Sequence, residues 1–503
     1  MSTPPKIACR LRPAQRGRTV CGVAAIAVAG LLAAASAGAQ VAGSSAALLH
    51  PAALQSAETS PAAPGDSDIK NRIESATGLV VAGERLHGAL LRQFYAAHNF
   101  QPVWETRQQQ AQALLNAVLR AGEHGLDPNL FHGVLLHNAA ALPPLERELL
   151  LSDAVLAYAD ALARGAVPIE ARLDDEDLTP EPVDPAATLD NAINSPDPAA
   201  AIEALAPHSP AYAALRQALQ TYRAAVAAGA TVPAASEETG ARQRQPAAAD
   251  RGPDKTNEAR LRQIAVNLER LRWLPRHLPA DRVWVNIANA QLLLYRDDQP
   301  VFTTRVVVGE VSKQTPEFQT TIDSLLFNPP WNVPPSIAST EILPKLAEQP
   351  DYLSHHHMVM RSNGAIQQLP GAGTALGQLK FEMQDRFDVY LHDTPLKGLF
   401  ARDNRRQSHG CVRVQNPREL AALLLQQPVA VINQGIALGY TNRRMLPTPV
   451  PVFMVYQTAF LGGDGSIEFR PDVYQRDDEI WPHLHAVGQA PVAQDAPTSQ
   501  RRS

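Results

Sequence analysis

Cysteine is nearly absent from this 503-residue chain, which has three: Cys9, Cys21 and Cys411. A surplus of basic charge is absent too. The net charge is −5, so there is no broad cationic face of the kind nucleic acid requires, and no nucleic-acid partner is expected. There is no P-loop and no dinucleotide fingerprint, and no internal repeat. The His-carboxylate spacing of zinc peptidases is also missing, although His355-His356-His357 stand in a row. Adjacent side chains rarely converge on one ion, so that run reads as a solvated segment. Neither a cofactor nor a metal is expected.

What is present is globular material, 45% hydrophobic and 19% charged, long enough for two or three domains. The first 39 residues have the pattern of an export signal. Lys6, Arg10, Arg12, Arg16 and Arg18 precede an apolar run from Val20 to Ala35, and Ala37-Gly38-Ala39 fits a cleavage site. No two of the arginines are adjacent, which argues against a twin-arginine route. If uncleaved, the same segment reads as an inner-membrane anchor; both readings place the remainder in the periplasm. Cleavage removes five basic residues, taking the net charge from −5 to −10, and leaves Cys411 as the one cysteine. Exported proteins use cysteine mainly in pairs. A lone one is either an inert buried residue or a reactive thiol.

Residues 40–68 read as a spacer rich in Ala, Ser and Pro, and 69–228 as helical. Ala113, Leu114, Ala117, Val118 and Ala121 share one helix face, which ends at Gly125 and Pro128. A second helix spans about 146–162. Phe94, Tyr95, Phe100 and Trp104 read as core of this domain. Residues 229–256 have almost no large apolar side chain and form a linker. A short helix with Leu261, Ile264, Leu268 and Leu271 on one face follows. Period-two strands come next, at 283–287, 291–295 and 304–308, with a hairpin turn at Asp297-Asp298-Gln299-Pro300. Further strands are expected at 324–327, 388–392 and 428–433. Residues 333–380 interrupt that pattern as a capping insert within 257–485, and 486–503 form a tail. The expected class is α+β multidomain: a helical domain joined to a mainly β, sandwich-like domain.

The chemistry concentrates in Tyr390-Leu391-His392-Asp393 and Ser408-His409-Gly410-Cys411-Val412-Arg413. Cysteine catalysis needs a thiolate, a base and donors for the oxyanion. Gly410 lets backbone approach a reacting carbonyl, so the N–H groups of Gly410 and Cys411 are candidates for an oxyanion hole. A nearby imidazole can lower the thiol pKa. His409 is close in sequence, but near neighbours on an extended segment face opposite ways. His392 can reach Cys411 across a sheet. On the residues alone both remain candidates for the base.

The segment resembles the signature of the L,D-transpeptidase family with the YkuD-type catalytic domain: a His, a spacer of about sixteen residues, then Ser/Thr-His-Gly-Cys. Here the spacer between His392 and His409 is sixteen residues. The resemblance implies that Cys411 is the nucleophile and His392 the base, oriented by the backbone carbonyl of Asp393. Arg413 stands where a common form of the motif has Asn, and either contacts a substrate carboxylate or braces the loop. Thr315-Pro316-Glu317-Phe318, Asn328 to Pro334, Leu379-Lys380-Phe381, Leu91 to Trp104 and His124 to Pro128 are similar to the long branch of the family, which has a helical scaffold domain. Only the linker occupies the place of that branch's peptidoglycan-binding module. His409, Arg413, Tyr390 and Trp331 are the expected substrate-binding residues, Tyr390 and Trp331 with core packing as the alternative.

The implied activity is formation of 3→3 cross-links through a cysteinyl thioester. The partners are peptidoglycan stem peptides: a tetrapeptide donor and a diaminopimelate acceptor. Carbapenem acylation of Cys411 is implied likewise, and a monomer is expected. Two alternatives stand beside this: an L,D-carboxypeptidase or cross-link hydrolase using the same Cys/His pair, and a non-catalytic wall scaffold.

Overall fold

A computed structural model describes residues 66–75, 78–230, 232, 253–371 and 373–486. The expected signal, and most of the spacer, the linker and the tail, lie outside these residues.

The helical domain is assembled around Pro144–Arg164, which is buried along most of its length. A helix that is apolar on nearly every side belongs in the centre of a domain. Gly88–Ala97, Gln108–Leu119 and Pro185–Ile193 pack on it. Helix starts are written locally. Asp184, Asp197 and Ser209 each accept a backbone N–H from the first turn, and each is followed by proline. Phe94, Tyr95 and Trp104 are core, as expected. The Tyr95 hydroxyl and the Trp104 indole meet Ser152 Oγ at 2.7 and 2.8 Å.

The helix beyond the linker is longer than its four leucine-face residues suggested, running Pro253–Arg272. Its Ile264, Leu268 and Leu271 join the core of the helical domain rather than that of the β domain. Its buried Glu269 is bridged by Arg272 at 2.8 Å and accepts the Val167 N–H at 2.9 Å.

The β domain is built on three long strands, Gln299–Gly309, Glu317–Phe327 and Asn442–Val455. Arg282–Asn286 and Gln291–Arg296 complete a meander whose turn has Asp297 and Asp298 at φ 49° and 60°. Two successive left-handed residues match the twist of a hairpin. Strand pairing closes on itself. From Leu379–Met383 it runs through Leu391–His392, Val412–Val414, the meander and Asn442–Val455 to Glu317–Phe327, which pairs back onto Leu379–Met383. The layers of the sandwich are thus joined through strands that bend across its corners. One such bend is the register break between Met445 and Val450.

The strand expected at 428–433 is a helix, Val429–Ala437. Its β-branched residues mislead, but Ile432, Gly435 and Ile436 are buried at helical spacing. A Cβ on Gly435 would stand 2.8 Å from the Phe327 ring, so glycine permits the close approach. The insert has its own three-stranded sheet, Trp331–Asn332, Met358–Met360 and Ile366–Gln368, and a small core of Val333, Ile342 and Ile366. His355, His356 and His357 are exposed on it.

A two-residue strand of the helical domain, Glu176–Asp177, adds in parallel to Glu317–Phe327 and sets Glu176 beside Glu317. Burial, then the neighbouring Glu317, pushes Glu176 up to about 7. A carboxyl raised in the folded state contributes stability that is fully present below its unfolded pKa and lost as pH rises through about 7. Glu176→Gln is therefore expected to match the native chain near pH 4 and exceed it by about 1–3 kcal/mol near pH 8, read by chemical denaturation at both pH values. Equal stability of the two proteins at pH 8 would refute the assignment.

Candidate active site

Two very short strands build the site. Leu391–His392 pairs in parallel with Val412–Val414, matching Leu391 with Val412 and His392 with Arg413. The Val412 N–H donates to the Tyr390 carbonyl at 3.1 Å. Side chains alternate along a strand. Tyr390 and His392 on one strand and Cys411 and Arg413 on the other therefore share a face, and adjacent strands stand roughly 5 Å apart. On the other side of His392, Leu379–Met383 brings Lys380 directly opposite it. Lys380 Nζ sits over the Tyr390 ring, 4.1 Å from its centroid.

His392 is buried, and its Nδ1 lies 2.5 Å from the Asp393 carbonyl oxygen. That bond makes Nδ1 the protonated nitrogen and leaves Nε2 as the basic one. The Asp393 carboxylate secures the turn by accepting the Gln378 N–H at 2.9 Å, the Thr394 N–H at 2.7 Å and Lys397 Nζ at 2.5 Å. Gly377, at φ 60°, makes room: a Cβ there would stand 2.5 Å from that carboxylate.

Cys411 is half-buried, and its thiol points at the Asp388 carbonyl oxygen, 3.8 Å away. The Tyr390 backbone N–H and hydroxyl lie close to the Cys411 sulfur, and the Trp331 side chain lies close to the Tyr390 hydroxyl. Trp331, Tyr390 and Cys411 are therefore in contact, and Tyr390 serves the thiol directly as well as facing the cleft. Gly410 has φ 111°, a conformation open to glycine alone. Its N–H reaches Ser408 Oγ only at 3.3 Å, while Ser408 Oγ donates to the Cys411 carbonyl at 2.6 Å.

His409 points elsewhere. Its Nε2 is 2.5 Å from Glu341 Oε1 on the insert, and Lys313 Nζ reaches the same oxygen at 3.3 Å. The hydrogen bond from His409 holds the Glu341 carboxyl below its usual range. Arg413 lies on the His392 face with its Nε buried and unpartnered. Burial lowers its guanidinium pKa.

The electrostatics differ from the sequence expectation that an imidazole lowers the thiol pKa. Burial, helped by Arg413, pushes His392 down to about 3, against the opposing pull of Asp393. Burial raises the Cys411 thiol, and the groups that oppose this are Tyr390 and Lys380 rather than His392. The resting pair is a neutral imidazole and a neutral thiol.

Sequence reasoning overlooked Lys380, Asp388 and Thr315 as parts of the site, and gave Ser408 no role beyond its place in the motif. A signal existed for Lys380: it lies between buried Leu379 and Phe381, so period two turns it to the opposite face. Thr315 Oγ1 donates to the Gly410 carbonyl at 2.7 Å, a contact across 95 residues that no local pattern marks.

Two regions of the chain are similar to known domains. Residues 280–459 match the L,D-transpeptidase catalytic domain, and residues 89–219 match the Scaffold domain. The chain therefore contains a region similar to the L,D-transpeptidase catalytic domain. A curated Haemophilus influenzae protein named "Putative L,D-transpeptidase" is 33% identical over 240 residues, which is 43% of this chain and 48% of that one. The chain thus spans about half the length of this curated relative. Among solved structures, the Enterococcus faecium L,D-transpeptidase catalytic domain acylated by ertapenem is 14% identical. It covers 36% of this chain and 99% of its own, at a TM-score of 0.20. Mycobacterium tuberculosis L,D-transpeptidase 3 with a faropenem-derived adduct is 13% identical, covering 35% and 60%, at a TM-score of 0.19.

A neutral resting pair in this L,D-transpeptidase domain has a measurable consequence. Alkylation of Cys411 by iodoacetamide is expected to rise steadily above the ordinary thiol pKa of ~8.5, with no plateau at lower pH. Tyr390→Phe, which loses the hydroxyl donor, should move the rise to higher pH. A pH-independent rate below about pH 7 would reveal a resting thiolate–imidazolium pair instead.

Proposed function

We propose that the protein is a periplasmic peptidoglycan L,D-transpeptidase that forms 3→3 cross-links through a thioester on Cys411. The observation that carries this reading is the shared face of His392 and Cys411, with His392 Nδ1 committed to the Asp393 carbonyl. The export pattern of residues 1–39 supports the location.

In this mechanism His392 Nε2 takes the Cys411 proton as sulfur attacks the carbonyl of the third residue of a tetrapeptide stem. Backbone N–H groups at Gly410 and Cys411 receive the developing oxyanion. The C–N bond breaks, the imidazolium returns its proton to the leaving D-Ala amine, and the thioester remains. The side-chain amine of diaminopimelate on a second stem then attacks, loses a proton to His392, and expels the Cys411 sulfur, which is reprotonated. A neutral imidazole suits this cycle, because it is free to accept a proton at the moment of attack. The thioester divides one acyl transfer into two easier steps. Arg413, unpartnered at its buried Nε, suits a substrate carboxylate. The insert is held to the nucleophile loop through Glu341 and His409, and excluding water there is the way it would favour amine over water.

Incubation of the protein with disaccharide-tetrapeptide tests the reading by mass spectrometry. A dimer lighter than two substrates by one D-Ala is expected, and none from Cys411→Ala. Tripeptide without dimer would replace the transferase by a hydrolase. Arg413→Met is expected to raise KM for the tetrapeptide roughly tenfold or more while kcat changes less. An unchanged KM would return Arg413 to a bracing role.

A further inference from the structure

The helical domain reaches the nucleophile loop through one buried arginine. Arg476 is fully buried. Its guanidinium ties together groups from both domains. It pairs with Asp175 of the helical domain and, in the β domain, with Glu317 at 3.2 Å. Gln314 Oε1 accepts from its Nε at 3.0 Å and from its Nη2 at 2.9 Å, and the Thr315 carbonyl lies 3.4 Å from Nη2. Asp175 is fixed by its backbone as well, because its carbonyl accepts the Glu317 N–H at 2.8 Å.

Gln314 and Thr315 are the residues that support Gly410. Thr315 Oγ1 donates to the Gly410 carbonyl at 2.7 Å and accepts the Gly309 N–H at 2.9 Å. The Gln314 carbonyl oxygen lies 3.5 Å from where a Cβ on Gly410 would stand. Tyr474, two residues before Arg476, donates its hydroxyl to the Gly309 carbonyl at 2.6 Å. The route from Asp175 to the peptide preceding Cys411 therefore consists of Arg476, the Gln314–Thr315 segment and Gly410, each link a hydrogen bond or a direct contact. Gly410 itself has no side chain, so its peptide orientation depends on what its neighbours impose.

We propose that Asp175 is a positioning residue for the nucleophile loop: through Arg476 and Gln314–Thr315 it holds the Gly410 peptide, and so the N–H donors beside Cys411, in the orientation acyl transfer requires. The scaffold domain is then a working part of the active site and more than a spacer. This rests on the reading of Cys411 as an acyl-accepting nucleophile. Removing the Asp175 carboxylate takes away one of the two carboxylates that pair with the buried Arg476 guanidinium and leaves Glu317 alone to balance it. The segment it braces is then free to shift, and orientation effects on acyl transfer are steep.

The test uses two reagents on one cysteine. Acylation by ertapenem needs the oxyanion donors, whereas alkylation by iodoacetamide needs only an accessible thiol. Both rates are measured on the full chain by intact mass, well below each variant's unfolding temperature. Asp175→Ala is expected to lose roughly tenfold or more in acylation while alkylation stays within about twofold, and Asp175→Asn should recover most of the loss. Arg262→Gln, which breaks the exposed Arg262–Asp478 pair, should change neither rate. Gln314→Ala interrupts the same route from the β domain and should reproduce the selective loss if Asp175→Ala does not fold. The proposal fails if Asp175→Ala, or Gln314→Ala in its place, is acylated at the native rate, if both rates fall together, or if Arg262→Gln shows the same selective loss. A native chain that is alkylated but never acylated overturns the acyl-enzyme reading, and the coupling with it.

Discussion

The site depends on a parallel pairing between two strands of two and three residues, Leu391–His392 and Val412–Val414. So short a ladder has few hydrogen bonds of its own, and a slip of one residue would turn His392 or Cys411 to the opposite face. Its register is held from outside. Leu391, Val412 and Val414 are buried in the β core on one face, and the Asp393 carboxylate fastens the turn just past His392. The same alternation that buries these apolar residues delivers His392, Tyr390, Cys411 and Arg413 to the other face. Core packing and site assembly are thus one constraint.

The junction between the domains is organised by charge. Arg270, Arg476 and Glu317 are all fully buried there, with Asp477 and Glu176 nearly so. Burying such groups costs several kcal/mol per ion unless they are paired and hydrogen-bonded. Glu317 is satisfied by Arg476 at 3.2 Å and by the Tyr456 N–H at 3.0 Å, and Asp477 by Arg270 at 2.5 Å and Thr458 Oγ1 at 2.8 Å. The strand Glu176–Asp177 closes this cluster by adding to the β sheet. Charge that must find partners across a junction specifies the docking geometry more sharply than apolar contact, which tolerates sliding.

Burial also sets the chemistry. It makes the charged form costly for both members of the reactive pair, lowering His392 to about 3 and raising Cys411. Within the proposed mechanism the active site stores no thiolate. Nucleophile and base are neutral until substrate arrives, and the charge that develops then meets donors already in place: Tyr390 at the sulfur and backbone N–H groups at the oxyanion.

The sequence by itself determined which residues are chemically able. A lone Cys411 behind Gly410, with His392 sixteen residues before His409, names a thiol and two candidate bases. The Asp297-Asp298 turn was legible because its backbone demand falls on adjacent residues. Val429–Ala437 was misread because its β-branched residues fit a strand as well as a helix, and only burial against Phe327 separates the two. The tertiary structure decided what depends on residues far apart in the chain. It turned His409 to Glu341, set Lys380 opposite His392, drew Pro253–Arg272 into the helical core, and joined Asp175 to Gly410 through Arg476. Those outcomes rest on strand register, on core packing and on charged groups finding partners 68 to 301 residues away, and none of these leaves a periodic trace in the sequence.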